Sequence, residues 1–506
     1  MPLVAALTGC PQPVMVVTNN LRFKTSPRWP IRDLLRLWPW VLPFMLLFLL
    51  GTRGLNEPDE GRYAEIAREM IEDGDWLVPH LNGFAHMQKP PLIYWFTAAS
   101  FRCFGLNEWA ARLPSALAAM GSVWMTFFIT RRLWGHHRAH VAAIMLMSSL
   151  GLFALGRLLT PDMVMCFWIL ASIAALVHGR AWLFFIAMGL GFLTKGPMAL
   201  VVPLSAALGW RFAGGLRPGW PWFRGLLLTL GLGLSWFVVV CLRDPQLLHY
   251  YLHDELLKRV ASHSHGRKQP WWFFIPVLLV ALMPWTFCSP RVIRQAWRRL
   301  RTGTWLARHG LLAGWVLPPL LVLSMSGSKL PTYALPLLPA LVILFCPPLV
   351  DVYRLWKIGS TAVALWITVL LASTLMNDLL GRQASVRDLA LNLEQRLEAK
   401  PGEVFLCGTR AHGIEFYLRQ RVGITLGEAD MMLPPSTPAS ALLHDHPQDC
   451  LHDYADKQAY GLMLDDCFKK HFAPAGWVAS ERVGDYVLAV HERPVMTASA
   501  KSPPTR

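Results

Sequence analysis

Charge is scarce in this chain. Only 16% of its 506 residues are Asp, Glu, Lys or Arg, where soluble domains average about 25%, and a soluble enzyme is thereby excluded. The nine cysteines show no zinc-type spacing, so a cysteine-built metal fold is not expected. No glycine fingerprint for a nucleotide stands between a strand and a helix, which sets nucleotide-dependent chemistry aside. No internal repeat is evident. An ordinary signal peptide is also missing: Leu7-Thr8-Gly9-Cys10 resembles a lipoprotein cleavage box, but the apolar run before it is too short and has no basic leader.

What is present is apolar. Hydrophobic residues make up 54% of the chain, including 23 Trp and 25 Phe. They come in blocks of about 15 to 22, the length that crosses a hydrocarbon core about 30 Å thick. Helical spans are expected near 36–51, 110–130, 140–156, 163–178, 181–194, 197–211, 224–242, 272–288, 310–325, 332–350 and 358–377. The fold class is therefore an all-α polytopic membrane protein with about 11 to 13 spans. Residues 91–104 are apolar but too short to cross upright, and read as an interfacial helix.

The net charge of +16 would suggest nucleic acid in a soluble chain, but here it is first a topology signal. With a cytoplasmic N-terminus, the inside loops carry 20 Lys and Arg against two acids, Asp33 and Asp351. That asymmetry sets the orientation and makes a nucleic-acid partner unnecessary. It divides the chain into a cytoplasmic tail 1–35, a transmembrane domain 36–379 with an outer first loop 52–109, and an outer domain 380–506. The last segment reads as a small α/β domain, with helices at 386–399 and 411–420 and strands at 404–407 and 422–426. Residues 477–490 form a hairpin turning at Gly484, and 434–447 a loop. Cys450 and Cys467 are candidates for a disulfide in an oxidising compartment.

Chemistry concentrates on the outer face. The first loop carries Asp59, Glu60 and Arg62 beside the rigid Pro58, where an acid can face a space between helix ends. Glu65, Glu69, Glu72 and Asp73 read as the solvated face of an amphipathic helix. Further outer turns offer Arg157 and Asp162, Lys195, and Lys329 with Tyr333. Converging helix ends would bring at least two carboxylates together with several cations. That set suits a sugar phosphate: Arg62, Lys89, Lys195, Lys329 and the group Lys258, Arg259, Arg267 and Lys268 can hold phosphate oxygens, and Asp59 can accept a proton from an attacking hydroxyl. On a face where nucleotides are scarce, the donor has to come from the membrane.

The run Pro58-Asp59-Glu60-Gly61-Arg62-Tyr63-Ala64-Glu65, with Gly74-Asp75-Trp76, Lys89-Pro90, Thr160-Pro161-Asp162, Thr194-Lys195-Gly196-Pro197 and Lys329-Leu330-Pro331-Thr332-Tyr333, resembles the lipid A aminoarabinose transferase branch of the dolichyl-phosphate-mannose protein mannosyltransferase superfamily. The resemblance implies a GT-C glycosyltransferase of the bacterial inner membrane. Such an enzyme takes a sugar, 4-amino-4-deoxy-L-arabinose, from undecaprenyl phosphate to lipid A or another envelope acceptor on the periplasmic face, without a nucleotide or other required cofactor. It makes Asp59 and Asp162 the catalytic acids, with Glu60 beside them. Arg62 and Lys89 match groups that bind the carrier phosphate, together with Arg267 or Lys268, and Tyr63 and Tyr333 match groups lining the substrate cavity; the charged outer turns add Lys329 to the phosphate-binding set and Lys195 to the cavity. The family often places Glu before the Lys-Pro pair and a His in a later loop as zinc ligands. Here Gln88 stands in the first position, and His263 and His265 compete for the second, which weakens the expectation of a divalent cation because a neutral amide is a poor zinc ligand. The alternatives are a protein or polysaccharide glycosyltransferase using another polyprenyl-phosphate sugar and, in another class, a polyprenyl-lipid flippase. Ionisable groups gathered at one face rather than at mid-membrane favour the enzyme.

Overall fold

The computed structural model describes residues 42–216, 219–251, 269–288, 290, 293–294, 297–298, 301–302, 306–350, 355–380, 384–425, 443–444 and 446–491. The first long loop, 52–109, is itself folded. It holds helix α1 (Asp59–Glu72), a two-strand hairpin of β1 (His80–Leu81) and β2 (Phe84–Ala85), and α2 (Leu92–Phe104), which is the short apolar helix expected at the interface. The helical body follows as α3 (Glu108–Trp134), α4 (His136–Met147), α5 (Leu150–Leu155), α6 (Pro161–Val177), α7 (Ala181–Lys195), α8 (Met198–Phe212) and α9 (Trp222–Arg243). Its later part is α10 (Phe274–Ala281), α11 (Ala307–Met325), α12 (Leu338–Val350) and α13 (Leu355–Leu380). Among the described residues, α3 and α9 are each long and apolar enough to cross a bilayer alone.

Local chemistry sets the boundaries. The Asn107 side chain accepts from Ala110 N at 2.8 Å and starts α3, while Thr160 accepts from Asp162 N at 3.2 Å and Pro161 fills the first turn of α6. Three expected spans are interrupted. Ser148 and Ser149 turn their hydroxyls onto the carbonyls of Ile144 and Leu146, both at 2.6 Å, and this local bonding splits 140–156 into α4 and α5. Residues 272–288 give only α10 and a 3₁₀ turn at Trp285–Cys288, because Pro284 lacks the donor a continued helix needs. The described part of 36–51 is a 3₁₀ helix, Leu42–Leu47, followed by a turn.

The C-terminal segment contains α14 (Arg387–Ala399), β3 (Glu403–Cys407), α15 (Gly413–Leu418), β4 (Gly423–Thr425), β5 (Leu443–His444), β6 (Ala459–Leu464), β7 (Val478–Val483) and β8 (Tyr486–His491). The sheet runs β5-β4-β3-β6-β8-β7, with β5, β4, β3 and β6 parallel and β8 and β7 antiparallel. Both predicted helices, the two parallel strands and the hairpin at Gly484 are where the sequence places them. Strand β6 was not visible there: its first five residues are buried, so it has no polar alternation to read. Strand β5 likewise interrupts the expected loop 434–447. Cys450 and Cys467 are not joined. Cys467 Sγ instead lies 3.4 Å from Cys407 Sγ, and Cys450 faces the Thr425 hydroxyl at 3.3 Å.

This domain sits on the 52–109 loop. Asn82 and Val422 exchange two hydrogen bonds, at 2.6 and 2.9 Å, and Arg421 grips Asp73 through both carboxylate oxygens. The Tyr417 hydroxyl accepts from Leu55 N at 2.8 Å. One apolar core runs without a break from the helices through α1 and α2 to Val386, Leu389, Val404 and Leu462.

Candidate active site

Helix α1 begins with two acids, Asp59 and Glu60, which its N-terminal dipole favours. They serve different ends. Asp59 is exposed and its Oδ1 accepts from Arg62 Nη2 at 2.6 Å. Glu60, grouped with the catalytic acids from sequence, is buried, and both its oxygens are engaged. Oε1 accepts from Arg112 Nε and Leu159 N, each at 2.8 Å, and Oε2 from Arg112 Nη2 and Asn56 N. Burial alone would raise its pKa, but Arg112 and Arg53 together with the Leu159 N–H hold it down at about 2. Glu60 is therefore a structural clasp: it ties the start of α1 to α3 and to the turn that leads into Asp162.

That turn presents the second acid. Asp162 is buried at the start of α6; it pairs with Lys195 at the end of α7 and accepts from the Thr160 hydroxyl at 3.1 Å. Lys195 Nζ lies 4.8 Å from the centre of the Tyr333 ring. Tyr63 is buried beside the first pair, with the Arg62 guanidinium 5.4 Å from its ring and Tyr94 5.9 Å away. Burial pushes the Tyr63 phenol up, and the charges of Arg62, Asp59, Lys195 and Asp162 all act on it. Tyr63 thus feels the charge of both acids and both cations. The Tyr94 hydroxyl is buried without a partner among the described residues.

Lys89 is half-buried before α2, and its charge, with that of Arg62, acts on His86. Burial, then Arg62, His412 and Lys89, hold the His86 imidazole well below its ordinary range, so His86 is neutral near pH 7 beside two cations. Sequence reasoning passed over this histidine, since nothing in its spacing sets it apart. Lys329 is buried and donates to the Ser326 carbonyl at 2.6 Å within its own turn; among the described residues it makes no ion pair with Asp59 or Asp162. Arg157 holds the carbonyls of Leu46, Phe48 and Leu49, closing the C-terminal end of the 3₁₀ helix. Arg267, Lys268, His263 and His265 lie outside the described residues. Gln88 is half-buried, and among the described residues no three His, Cys, Asp or Glu converge as ligands for a metal ion.

The arrangement offers an exposed carboxylate, a buried carboxylate–ammonium pair and at least two further cations around an aromatic wall. Such a set can orient a hydroxyl or phosphate nucleophile and stabilise a departing phosphate.

A family model described as dolichyl-phosphate-mannose-protein mannosyltransferase matches residues 88–242. The undecaprenyl phosphate-alpha-4-amino-4-deoxy-L-arabinose arabinosyl transferase 2 of Pseudomonas fluorescens is 33% identical over 381 residues, covering 70% of this chain and 62% of the relative. The corresponding transferase of Pseudomonas aeruginosa is 35% identical over 340 residues, covering 62% and 60%. The chain thus spans under two thirds of the length of these curated relatives. The crystal structure of ArnT from Cupriavidus metallidurans bound to undecaprenyl phosphate superposes with a TM-score of 0.75 at 22% identity, over 91% of this chain and 98% of that one. The chain shares the fold of that structure, helical and polytopic with a C-terminal sheet region, and is similar in sequence to these transferases over part of their length.

Proposed function

We propose that this protein is a glycosyltransferase of the bacterial inner membrane. It moves 4-amino-4-deoxy-L-arabinose from undecaprenyl phosphate to lipid A or a related envelope acceptor on the periplasmic face. The observation that carries the reading is that the pairs Asp59–Arg62 and Asp162–Lys195 both act by charge on the buried Tyr63, in a chain whose relatives are named for that transfer. The first outer loop and the C-terminal domain lie against each other, which supports placing both on the periplasmic side.

In this reading the acceptor oxygen attacks the anomeric carbon, the sugar C–O bond to phosphate breaks, and undecaprenyl phosphate leaves with the bonding pair. Asp59 orients the acceptor, or takes its proton when the acceptor is a hydroxyl. A lipid A phosphate is already anionic, and Asp59 then acts on the amino sugar by charge. Asp162, held by Lys195 and Thr160, fixes the sugar, while Arg62 and Lys89 take up the charge of the departing phosphate. Arg267 or Lys268 would add a cation from the later loop. No step needs a nucleotide or a metal.

Mass spectrometry of lipid A from cells with and without the protein tests this. A shift of one aminopentose supports the reading. Unchanged lipid A with an altered glycoprotein points to another acceptor within the superfamily, and unchanged glycans with altered carrier-lipid sidedness point to a flippase.

A further inference from the structure

Glu57 lies two residues before Asp59 and is held by the C-terminal domain from two sides. Its backbone N–H donates to the Ala384 carbonyl at 2.9 Å, and its Oε1 accepts from Gly413 N at 2.8 Å. The carboxyl is wedged between two glycines. A Cβ on Gly413 would lie 2.0 Å from Glu57 Oε1, and one on Gly61 would lie 2.5 Å from the same oxygen and 2.6 Å from Gly413 N. Any side chain at either glycine would displace the Glu57 carboxyl. The residues following Glu57 carry the start of α1: the Asn56 carbonyl accepts from Glu60 N at 3.0 Å, and the Pro58 carbonyl from Arg62 N at 3.3 Å.

We propose that the C-terminal domain is a working part of the site, and that Glu57 is the positioning residue through which Gly413 fixes the first turn of α1 and, with it, Asp59 and Arg62. The inference rests on the proposed function for the roles of those two residues. Nothing in the local helix accounts for the Glu57 carboxyl. Its Oε2 is buried and accepts no hydrogen bond among the described residues, and the same holds for both oxygens of Glu415 in α15, which has His412 Nδ1 at 3.4 Å as its ion-pair contact.

The neighbours from each side are acidic on balance. Helix α1 contributes Glu60, Arg62, Glu65, Arg68 and Glu69. The C-terminal domain contributes His412 and Glu415, Tyr486 from β8, and Arg421 at 3.9 Å from Glu69. Arg68 is already taken by Glu65 and Glu72, and Glu69 accepts from Gly83 N. An ionised carboxylate without partners is disfavoured in such a place. Burial pushes Glu57 well above the ordinary carboxylate range, with Glu415 and Glu60 adding to the rise against the Gly413 N–H and Arg62; burial and Glu69 do the same to Glu415. The seam is therefore built for neutral carboxyls. Because the folded values are raised, docking is strongest at low pH and weakens as pH climbs from the ordinary carboxylate value through the raised one.

The test uses the full chain in lipid nanodiscs, with two readouts: turnover of a synthetic undecaprenyl-phosphate aminoarabinose, and amide exchange at residues 59–62 corrected for intrinsic rate. Glu57→Gln, an uncharged isostere, is expected to keep about half or more of wild-type turnover with slow exchange, and to flatten the alkaline decline in both readouts. Glu57→Ala and Gly413→Ala are expected to lose turnover by about tenfold to a hundredfold, the scale of a small misplacement at a reacting centre, and to exchange faster. Wild-type turnover and exchange in Glu57→Ala would overturn the proposal, as would a Gln variant that fails along with the Ala variant. Exchange does not depend on the sugar. The expected exchange pattern with no transfer by any form, wild type included, would support the positioning role and count against the proposed function.

Discussion

Asp59 and Glu60 are adjacent and chemically alike, yet one is exposed and the other has both oxygens committed to Arg112, Leu159 N and Asn56 N. Their substitutions should therefore separate. Asp59→Ala is expected to lower transfer by about 10²- to 10⁴-fold with normal membrane insertion, read by product formation in vesicles against protein content. Glu60→Gln leaves Arg112 buried without its countercharge and should destabilise the chain by about 3–5 kcal/mol, read by thermal unfolding of the solubilised protein. The sign of its pH dependence follows from a depressed folded pKa. The stability from Glu60 is fully present above the unfolded value of about 4.3 and is lost as pH falls toward about 2. The sequence could nominate both acids, because charged residues are so few. It could not tell them apart, because the partner of Glu60 lies 52 positions away.

At the level of elements, the short hairpin β1–β2 does more than its length suggests. Its turn, Asn82-Gly83, has positive φ at both residues, 54° and 79°, the geometry that favours Asn-Gly in two-residue hairpin loops. Asn82 then uses its side chain to pair with Val422 of the C-terminal domain. Asn82→Gly keeps the turn and removes only that pairing. It should loosen the domain by about 1–3 kcal/mol, seen as faster amide exchange at Val422 with no change at Phe84. Helix α1 corrects the sequence in the same region. Glu65 and Glu69 read as a solvated face, yet both are buried, Glu65 on Arg68 and Glu69 on Gly83 N. A charge pattern shows an amphipathic helix but not which face a distant domain will cover.

Across the whole molecule, the Lys and Arg asymmetry and the packing of the C-terminal domain on the first outer loop require one sidedness for both. A cysteine introduced at the exposed Glu398 should react with a membrane-impermeant maleimide from the periplasmic side. One at the exposed Arg132, in the last turn of α3, should react only once the inner membrane is opened. Labelling of both from the same side would overturn the assigned topology.

The sequence by itself determined the membrane class, most helix positions, the charge asymmetry on which the proposed direction of insertion rests, and the short set of residues able to do chemistry. These follow from hydrophobic length and from charge counted along the chain, which are local properties. Only the tertiary structure decided that Asp162 is held by Lys195, that two ion pairs act by charge on Tyr63, that Glu60 is a clasp and that Glu57 is gripped by Gly413. Each of these depends on groups far apart in sequence, and their energetics come from burial, which is settled by packing rather than by any segment alone.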